Sequence, residues 1–250
     1  MPGIFKNIRR TVTFTRHIWK YLAYAFGEFL LVVLGILVAL QINNWAENNR
    51  QRKLEAVYLG ELLSEINQDT SYLNDVIHIL ESGSNSAQRA LKVLEGRSDL
   101  PSLIFLNQFK RSYVGGDWSI NPVIWSELKS TGNLSIIRNR HVVRSLATYY
   151  SRLEHTTQIA KFELLDTYDG RMYDKSMFSG PDSEDFFRDL KLDSLHDRSV
   201  LDRIRRDTKA TELMRRITVS RMIIAGELKF LKSLGEEAIK TLENEISQGK

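Results

Sequence analysis

Residues 21–42 read YLAYAFGEFLLVVLGILVALQI, 22 residues with a single ionisable group, Glu28. Wound as an α-helix rising about 1.5 Å per residue, a run of this length crosses the roughly 30 Å hydrocarbon core of a bilayer. A cleaved signal peptide is the competing reading, and it calls for a shorter apolar core followed by a small-x-small cleavage site. Here the run ends in Ala39-Leu40-Gln41-Ile42-Asn43-Asn44-Trp45, a poor cleavage site, which favours an uncleaved signal anchor. Trp19, Tyr21 and Tyr24 stand at one end and Trp45 at the other. Amphipathic rings are enriched at the headgroup level of a bilayer.

The charge distribution orients this segment. The whole chain is +4, yet residues 1–27 carry Lys6, Arg9, Arg10, Arg16 and Lys20 with no acid. The remaining 223 residues hold 30 Lys+Arg against 31 Asp+Glu, so the basic excess belongs to a short tail. A basic balance invites a nucleic-acid reading, but this tail is better explained as a topology signal beside a membrane. Only Arg50, Arg52 and Lys53 follow the span closely, offset in part by Glu47 and Glu55. The positive-inside rule then places the N-terminus in the cytoplasm and the chain after Trp45 outside, in the periplasm of a Gram-negative cell. The expected organisation is a basic cytoplasmic tail over 1–20, a transmembrane helix over 21–45 and a periplasmic α-helical domain over 46–250.

Composition bounds the rest. With 250 residues, 42% hydrophobic and 26% charged, the chain is long enough for a real core and near the average of globular proteins. That excludes a collagen, a mucin-like stalk and a wholly disordered tail, and one long apolar run excludes a polytopic membrane protein. The absence of cysteine excludes disulfides, thiolate metal sites and a cysteine nucleophile. Four prolines leave room for long helices.

Beyond Glu47 the apolar residues fall at helical spacing. Leu59, Leu62, Ile66, Leu73, Val76 and Leu80 alternate steps of three and four, with Asp69 in one seam position. No Gly or Pro break separates Trp45 from Leu59, so this helix is expected to run on from the membrane segment. Gly83, within Ser82-Gly83-Ser84-Asn85-Ser86, is expected to end it, with a short helix from Ser86 to Glu95 stopping at Gly96. Pro101 opens a helix to Tyr113. Asn121 is expected to cap a helix from Pro122 that stops at Gly132. A long helix follows from Arg138 to about Tyr168, with seam residues Val142, Leu146, Tyr149, Leu153, Ala160 and Leu164. A break is expected from Gly170 through Gly180-Pro181 to Asp185. The last long helix runs from about Thr208 to Ser247 on the stripe Ile217, Ile224, Leu228, Leu231, Ala238, Leu242 and Ile246. These elements predict an all-α fold: one N-terminal transmembrane helix followed by an extracytoplasmic antiparallel helical bundle. The less periodic stretch from Ser98 to Ser135 is expected to cap the membrane-distal end or pack across the seam.

Two segments carry a family resemblance. The run from Tyr24 to Trp45, YAFGEFLLVVLGILVALQINNW, resembles the span shared by an uncharacterised family of single-pass membrane proteins common in Bacteroidota and related phyla. Trp125-Ser126-Glu127-Leu128-Lys129-Ser130-Thr131-Gly132-Asn133-Leu134-Ser135-Ile136-Ile137, then Tyr149-Tyr150, is similar to the same family. The resemblance implies a membrane topology and no activity. It marks Gly27, Glu28, Gly35, Gln41, Asn43, Asn44 and Trp45 as membrane or interface determinants.

Motifs with chemistry are scarce. His17, His78, His141, His155 and His196 contain no pair one helical turn apart, as a His-Glu-x-x-His zinc site requires. No Glu-x-x-His pair suggests a di-iron bundle. Glu61, Glu65 and Asp69 form an acidic row, read as a solvated face, with cation binding as the alternative. Ser119, Ser126 and Ser130 lack a Gly-x-Ser-x-Gly elbow. Trp118 and Trp125, flanking Pro122, read as core or as the lining of a pocket. Arg203, Arg205, Arg206, Lys209, Arg215, Arg216 and Arg221, interspersed with Asp202, Asp207 and Glu212, read as a solvated, salt-bridged helix. No cofactor or metal is implied, and nucleic acid is an unlikely partner in an outward compartment.

The remaining candidate is the membrane helix. Glu28, Gly35 and Ile42 share a face, flanked by Leu31, Val32 and Ala39, and Gly35-x-x-x-Ala39 permits close approach of another helix. An ionisable residue within a span marks a functional site by default. Either this face docks on a partner with Glu28 hydrogen-bonded, or Glu28 snorkels to the interface and Gly35 is incidental. The expected function is non-enzymatic: an interaction or scaffold protein, an accessory subunit of a larger inner-membrane complex such as a respiratory or photosynthetic one. Its partners would be integral membrane proteins, the lipid bilayer, or a second copy of the chain. The alternative is a periplasmic sensor or ligand-binding domain that signals through a partner, since a tail of some 20 residues holds no output domain.

Overall fold

The computed structural model describes residues 5–115, 118–178 and 202–248, with the side-chain surroundings of 5–18, 20, 23, 162–164, 166–167 and 174–178 left aside. Every regular element among them is helical: α1 Phe5–Leu94, α2 Ser102–Arg111, α3 Val123–Ser130, a 3-10 turn Asn133–Ile136, α4 Arg140–Phe178 and α5 Thr208–Gln248. A short helical turn covers 202–206. The chain divides into two compact units, Met1–Glu55 and Ala56–Lys250.

In the first unit no other described element packs on α1. Except for half-buried Val33, the residues described from Trp19 to Arg50 are exposed, Phe26, Leu31 and Val38 among them. Among the described residues this is the one helix long and apolar enough to cross a membrane.

The second unit buries the seams expected of its helices. Leu59, Leu62, Ile66, Leu73, Val76 and Leu80 of α1 meet Val142, Leu146, Tyr149, Leu153 and Ala160 of α4 and Ile224, Leu228, Leu231, Ala238 and Leu242 of α5 in one cluster. Ile246 is only partly buried, and the surroundings of Leu164 lie outside the described residues. Trp118 and Trp125 belong to this core. A second cluster joins Ala87, Ala90 and Val93 to Phe105, Leu106 and Phe109 of α2 and to Leu213, Met214 and Ile217 of α5.

Cross-helix pairs set the directions. Asn74 with Lys232 (3.1 Å), Ser84 with Thr218 (3.0 Å) and Glu95 with Arg215 (2.9 Å) run α5 antiparallel to α1. Glu245 with Asn139, Glu227 with Arg152 and Arg216 with Asp169 run it antiparallel to α4. Thus α1 and α4 are parallel, which departs from a simple antiparallel set of three long helices. The chain from 95 to 139 supplies the missing return leg: Gly115 lies against Ile79, Ile124 against Glu65 and Glu127 against Tyr58, in reverse order along α1. The unit is therefore up-down-up-down, with its second leg broken into α2, α3 and the 3-10 turn. Within this stretch α2 packs on the second apolar cluster and α3 packs across the seam of the first, as the second of the two expected alternatives has it.

Two glycines depart from expectation. Gly83 does not end α1, which continues to Leu94 before Gly96 turns at φ +69. Gly170 lies inside α4 rather than in a break, and a Cβ there would stand 2.7 Å from Tyr113 Cβ. Glycine costs a helix about 1 kcal/mol, and in each case a neighbouring side chain fills the space that glycine leaves. The expected break at Gly180-Pro181 lies outside the described residues. Pro101 precedes α2 and Gly132 takes the left-handed φ +74 after α3, as expected, whereas α2 ends at Arg111 and α4 runs on to Phe178, ten residues past its expected end.

Candidate functional site

On α1 the positions Glu28, Leu31, Val32, Gly35, Ala39 and Ile42 are all exposed, and nothing lies within 4 Å of a Cβ built on Gly35. Glu28, Gly35 and Ile42 recur every seven residues, so helical geometry keeps them on one slowly drifting face. Trp19, Tyr21, Tyr24 and Trp45 are exposed as well, at 69–85% of their full surface. Lys6, Arg9, Arg10, Arg16 and Lys20 belong to the same helix, but their side chains lie outside the described set. The helix thus presents an apolar surface that no described part of the chain covers.

The second concentration of chemistry is inside the helical unit. Tyr150 donates its hydroxyl proton to Glu65 (2.7 Å), and Tyr149 donates to Asp69 (3.0 Å). The other Glu65 oxygen accepts the backbone N–H of Ile124 at 2.9 Å, in the first turn of α3. That bond replaces the expected cap: Asn121 does not cap α3, which starts after Pro122 with no side-chain cap of its own. The indole of Trp125 stacks on Tyr150, with centroids 4.8 Å apart and planes at 13°. Tyr58 donates to Glu127 on the same short helix at 3.1 Å.

The acidic row is therefore not a solvated face. Only Glu61 is exposed, while Glu65 and Asp69 turn into the seam and are held by tyrosines. Burial pushes the Asp69 carboxyl up to about 6, against the opposing bond from Tyr149, and the nearby Glu65 charge adds to the rise. Burial with the adjacent carboxylates also drives both tyrosine hydroxyls far above their ordinary range, so they stay protonated and able to donate. This network is a hydrogen-bonded clamp joining α1, α3 and α4.

Of the segments that carry the family resemblance, Trp125 and Tyr149-Tyr150 converge on the clamp, and the run from Tyr24 to Trp45 lies on the exposed helix. A family model covers residues 28–207, more than half of the chain. The chain belongs to DUF6090, a family of unknown function. No curated protein and no solved structure matches this DUF6090 chain.

Other candidates are scattered. Among the described residues no group of three His, Asp or Glu is placed to hold a metal ion. His78, His141 and His155 are exposed on separate stretches of α1 and α4, and Ser119, Ser126 and Ser130 are exposed too. The basic stretch is salt-bridged where expected, through Arg205 to Asp99, Arg215 to Glu95 and Arg216 to Asp169. Arg221 is the exception. It is fully buried, donating to the carbonyls of Val114 (3.1 Å) and Gly115 (2.9 Å). Sequence periodicity had one signal for it: Arg221 falls on the seam between Ile217 and Ile224.

Proposed function

We propose that this DUF6090 chain is a non-enzymatic, single-pass membrane protein of bacteria, an interaction or scaffold subunit of a larger inner-membrane assembly. The observation that supports this most is the exposed apolar surface of α1, which extends through the 21–45 run with no described residue of the chain upon it. In water such a surface is unfavourable at roughly 25 cal/mol per Å², and a bilayer with neighbouring helices removes that cost. The basic tail and the sparse positive charge after Trp45 favour an N-terminus in the cytoplasm and a helical unit in the periplasm. Glu28, Gly35 and Ala39 give the buried helix a face on which another membrane helix would pack.

Extraction in mild detergent, followed by a native gel and mass spectrometry, tests this reading. A stoichiometric large complex supports a structural subunit. A lone monomer or homodimer removes the scaffold role and favours a ligand-binding module that signals through a partner. That second reading draws its support from a cleft between α1 and α2 lined by Arg89 and Arg111. Protease digestion of intact spheroplasts tests the orientation: loss of the helical unit with a protected tail is the expected result.

A further inference from the structure

A cleft of about 300 Å³ opens between the middle of α1 and α2, lined by His78, Asn85, Ser86 and Arg89 of α1 and by Gln108 and Arg111 of α2. Arg89 and Arg111 are exposed, and among the described residues neither has an ion pair or a hydrogen bond. Several other basic groups of the unit are paired instead. Arg152, Arg205, Arg215, Arg216 and Lys229 all reach a carboxylate.

The one acid on the lining, Glu81, is engaged from the other side by Lys229 of α5. The cleft therefore presents two uncompensated guanidinium charges in a setting of amide, hydroxyl and imidazole groups. The adjoining cleft of about 370 Å³ shares His78 and Glu81 but not this character. Its cations Lys229 and Lys232 are taken up by Glu81, Asn74 and Glu236.

Two like charges on one concave surface repel, and the surface gains from an anion between them. The lining is rich in donors: two guanidinium forks, the amides of Asn85 and Gln108, and the hydroxyls of Ser82 and Ser86. Its single carboxylate is already occupied. The complementary ligand is one that only accepts hydrogen bonds and carries about two negative charges. A phosphate monoester does both at neutral pH, with a second pKa near 6, and the planar guanidinium matches phosphate oxygens in bidentate fashion. A monocarboxylate supplies half the charge and fewer acceptors. The volume is at the small end of ligand pockets, which suits a phosphate group on a short polar body.

We propose that the α1–α2 cleft is a binding site for a phosphate monoester, gripped by Arg89 and Arg111. The site lies within the unit Ala56–Lys250 and does not depend on the membrane reading.

Calorimetry on the full-length protein in a non-ionic detergent, in phosphate-free buffer, tests it with four probes: inorganic phosphate, glycerol 3-phosphate, short-chain phosphatidic acid below its micellar concentration, and succinate. Glycerol 3-phosphate is expected to bind saturably at one site. Losing one charge-assisted contact, by Arg89→Gln or Arg111→Gln, is expected to weaken it about tenfold. Arg171→Gln, at an exposed arginine on α4, is expected to leave it unchanged. Both cleft arginines are exposed and unpaired, so these variants should keep the helical circular dichroism of the parent. Tighter binding of phosphatidic acid than of glycerol 3-phosphate would identify a lipid headgroup as the source of the monoester, and equal binding a soluble compound. No saturable binding of any phosphate probe overturns the proposal. So does undiminished binding in the folded Arg89→Gln/Arg111→Gln double variant, or succinate binding as tightly as the phosphates.

Discussion

Arg221 of α5 fills the notch that Gly83 leaves in α1: a Cβ on Gly83 would stand 2.9 Å from the guanidinium carbon and 3.1 Å from Cδ. The pair marks the boundary between the two apolar clusters on both helices, since Leu80 and Ile224 belong to one and Ala87 and Ile217 to the other. From that position the guanidinium holds the carbonyls of Val114 and Gly115, where the broken return leg passes.

Gly83→Ala should therefore destabilise the protein even though alanine is the better helix former. The guanidinium is held by two carbonyls, so it cannot simply swing away, and overpacking of this kind costs about 1–3 kcal/mol against a propensity gain of about 1 kcal/mol. Gly60→Ala, in the same helix with nothing within 4 Å of the built Cβ, should stabilise by about 0.5–1 kcal/mol. Urea unfolding followed by circular dichroism measures both, and the opposite signs are the result to look for.

Truncating the partner should be costlier. Arg221→Leu leaves the Val114 and Gly115 carbonyls without a donor that each now has, and charge-assisted bonds of this type are worth about 1.5–3 kcal/mol each. A loss of about 3 kcal/mol in the same denaturation assay is expected. A neutral effect would mean that solvent replaces the guanidinium without difficulty.

The clamp predicts a pH dependence. Burial raises the Asp69 carboxyl from 3.8 to about 6, so the folded state binds this proton more tightly than the unfolded chain. The resulting stabilisation is complete below about pH 4 and is lost as the pH rises through about 6. Asp69→Asn keeps an acceptor for the Tyr149 hydroxyl and removes the buried charge. The variant should melt higher than the parent at pH 7.5, and the gap should close as the pH falls from 6 to 4. Parallel melting profiles across that window would show that Asp69 does not titrate as its burial demands.

Tyr150→Phe deletes only the hydroxyl that donates to Glu65 and keeps the ring against Trp125. Removing a hydrogen bond to a charged acceptor should cost about 1.5–3 kcal/mol. Near-ultraviolet dichroism from the stacked pair should be largely retained, which separates loss of the bond from loss of the stack.

For the exposed helix, Glu28→Leu and Gly35→Leu should reduce co-purification with membrane partners while the helical unit keeps its circular dichroism. Unchanged recovery of partners in both variants would remove docking through this face.

Much of the architecture is legible in the sequence because it follows from periodicity. The stripes on α1, α4 and α5, the proline before α2 and the left-handed Gly132 all express local rules: apolar residues every three or four positions face a core, and special backbone angles need special residues. The exposed 21–45 helix is legible for the same reason, since length and hydropathy alone qualify it.

What only the tertiary structure decided are the long-range pairings. Glycine's helix penalty is local and small, so Gly83 and Gly170 read as breaks until Arg221 and Tyr113 are seen to occupy the space beside them. Glu65 and Asp69 read as solvated because one helix cannot show that Tyr149 and Tyr150, some 80 residues on, come to meet them. The parallel run of α1 and α4 could not be read either, because the return leg has no helical period of its own along its length. The sequence of this protein specifies its helices by repeating local preferences. Which charges those helices bury, cap and leave unpaired depends on distances closed only by folding.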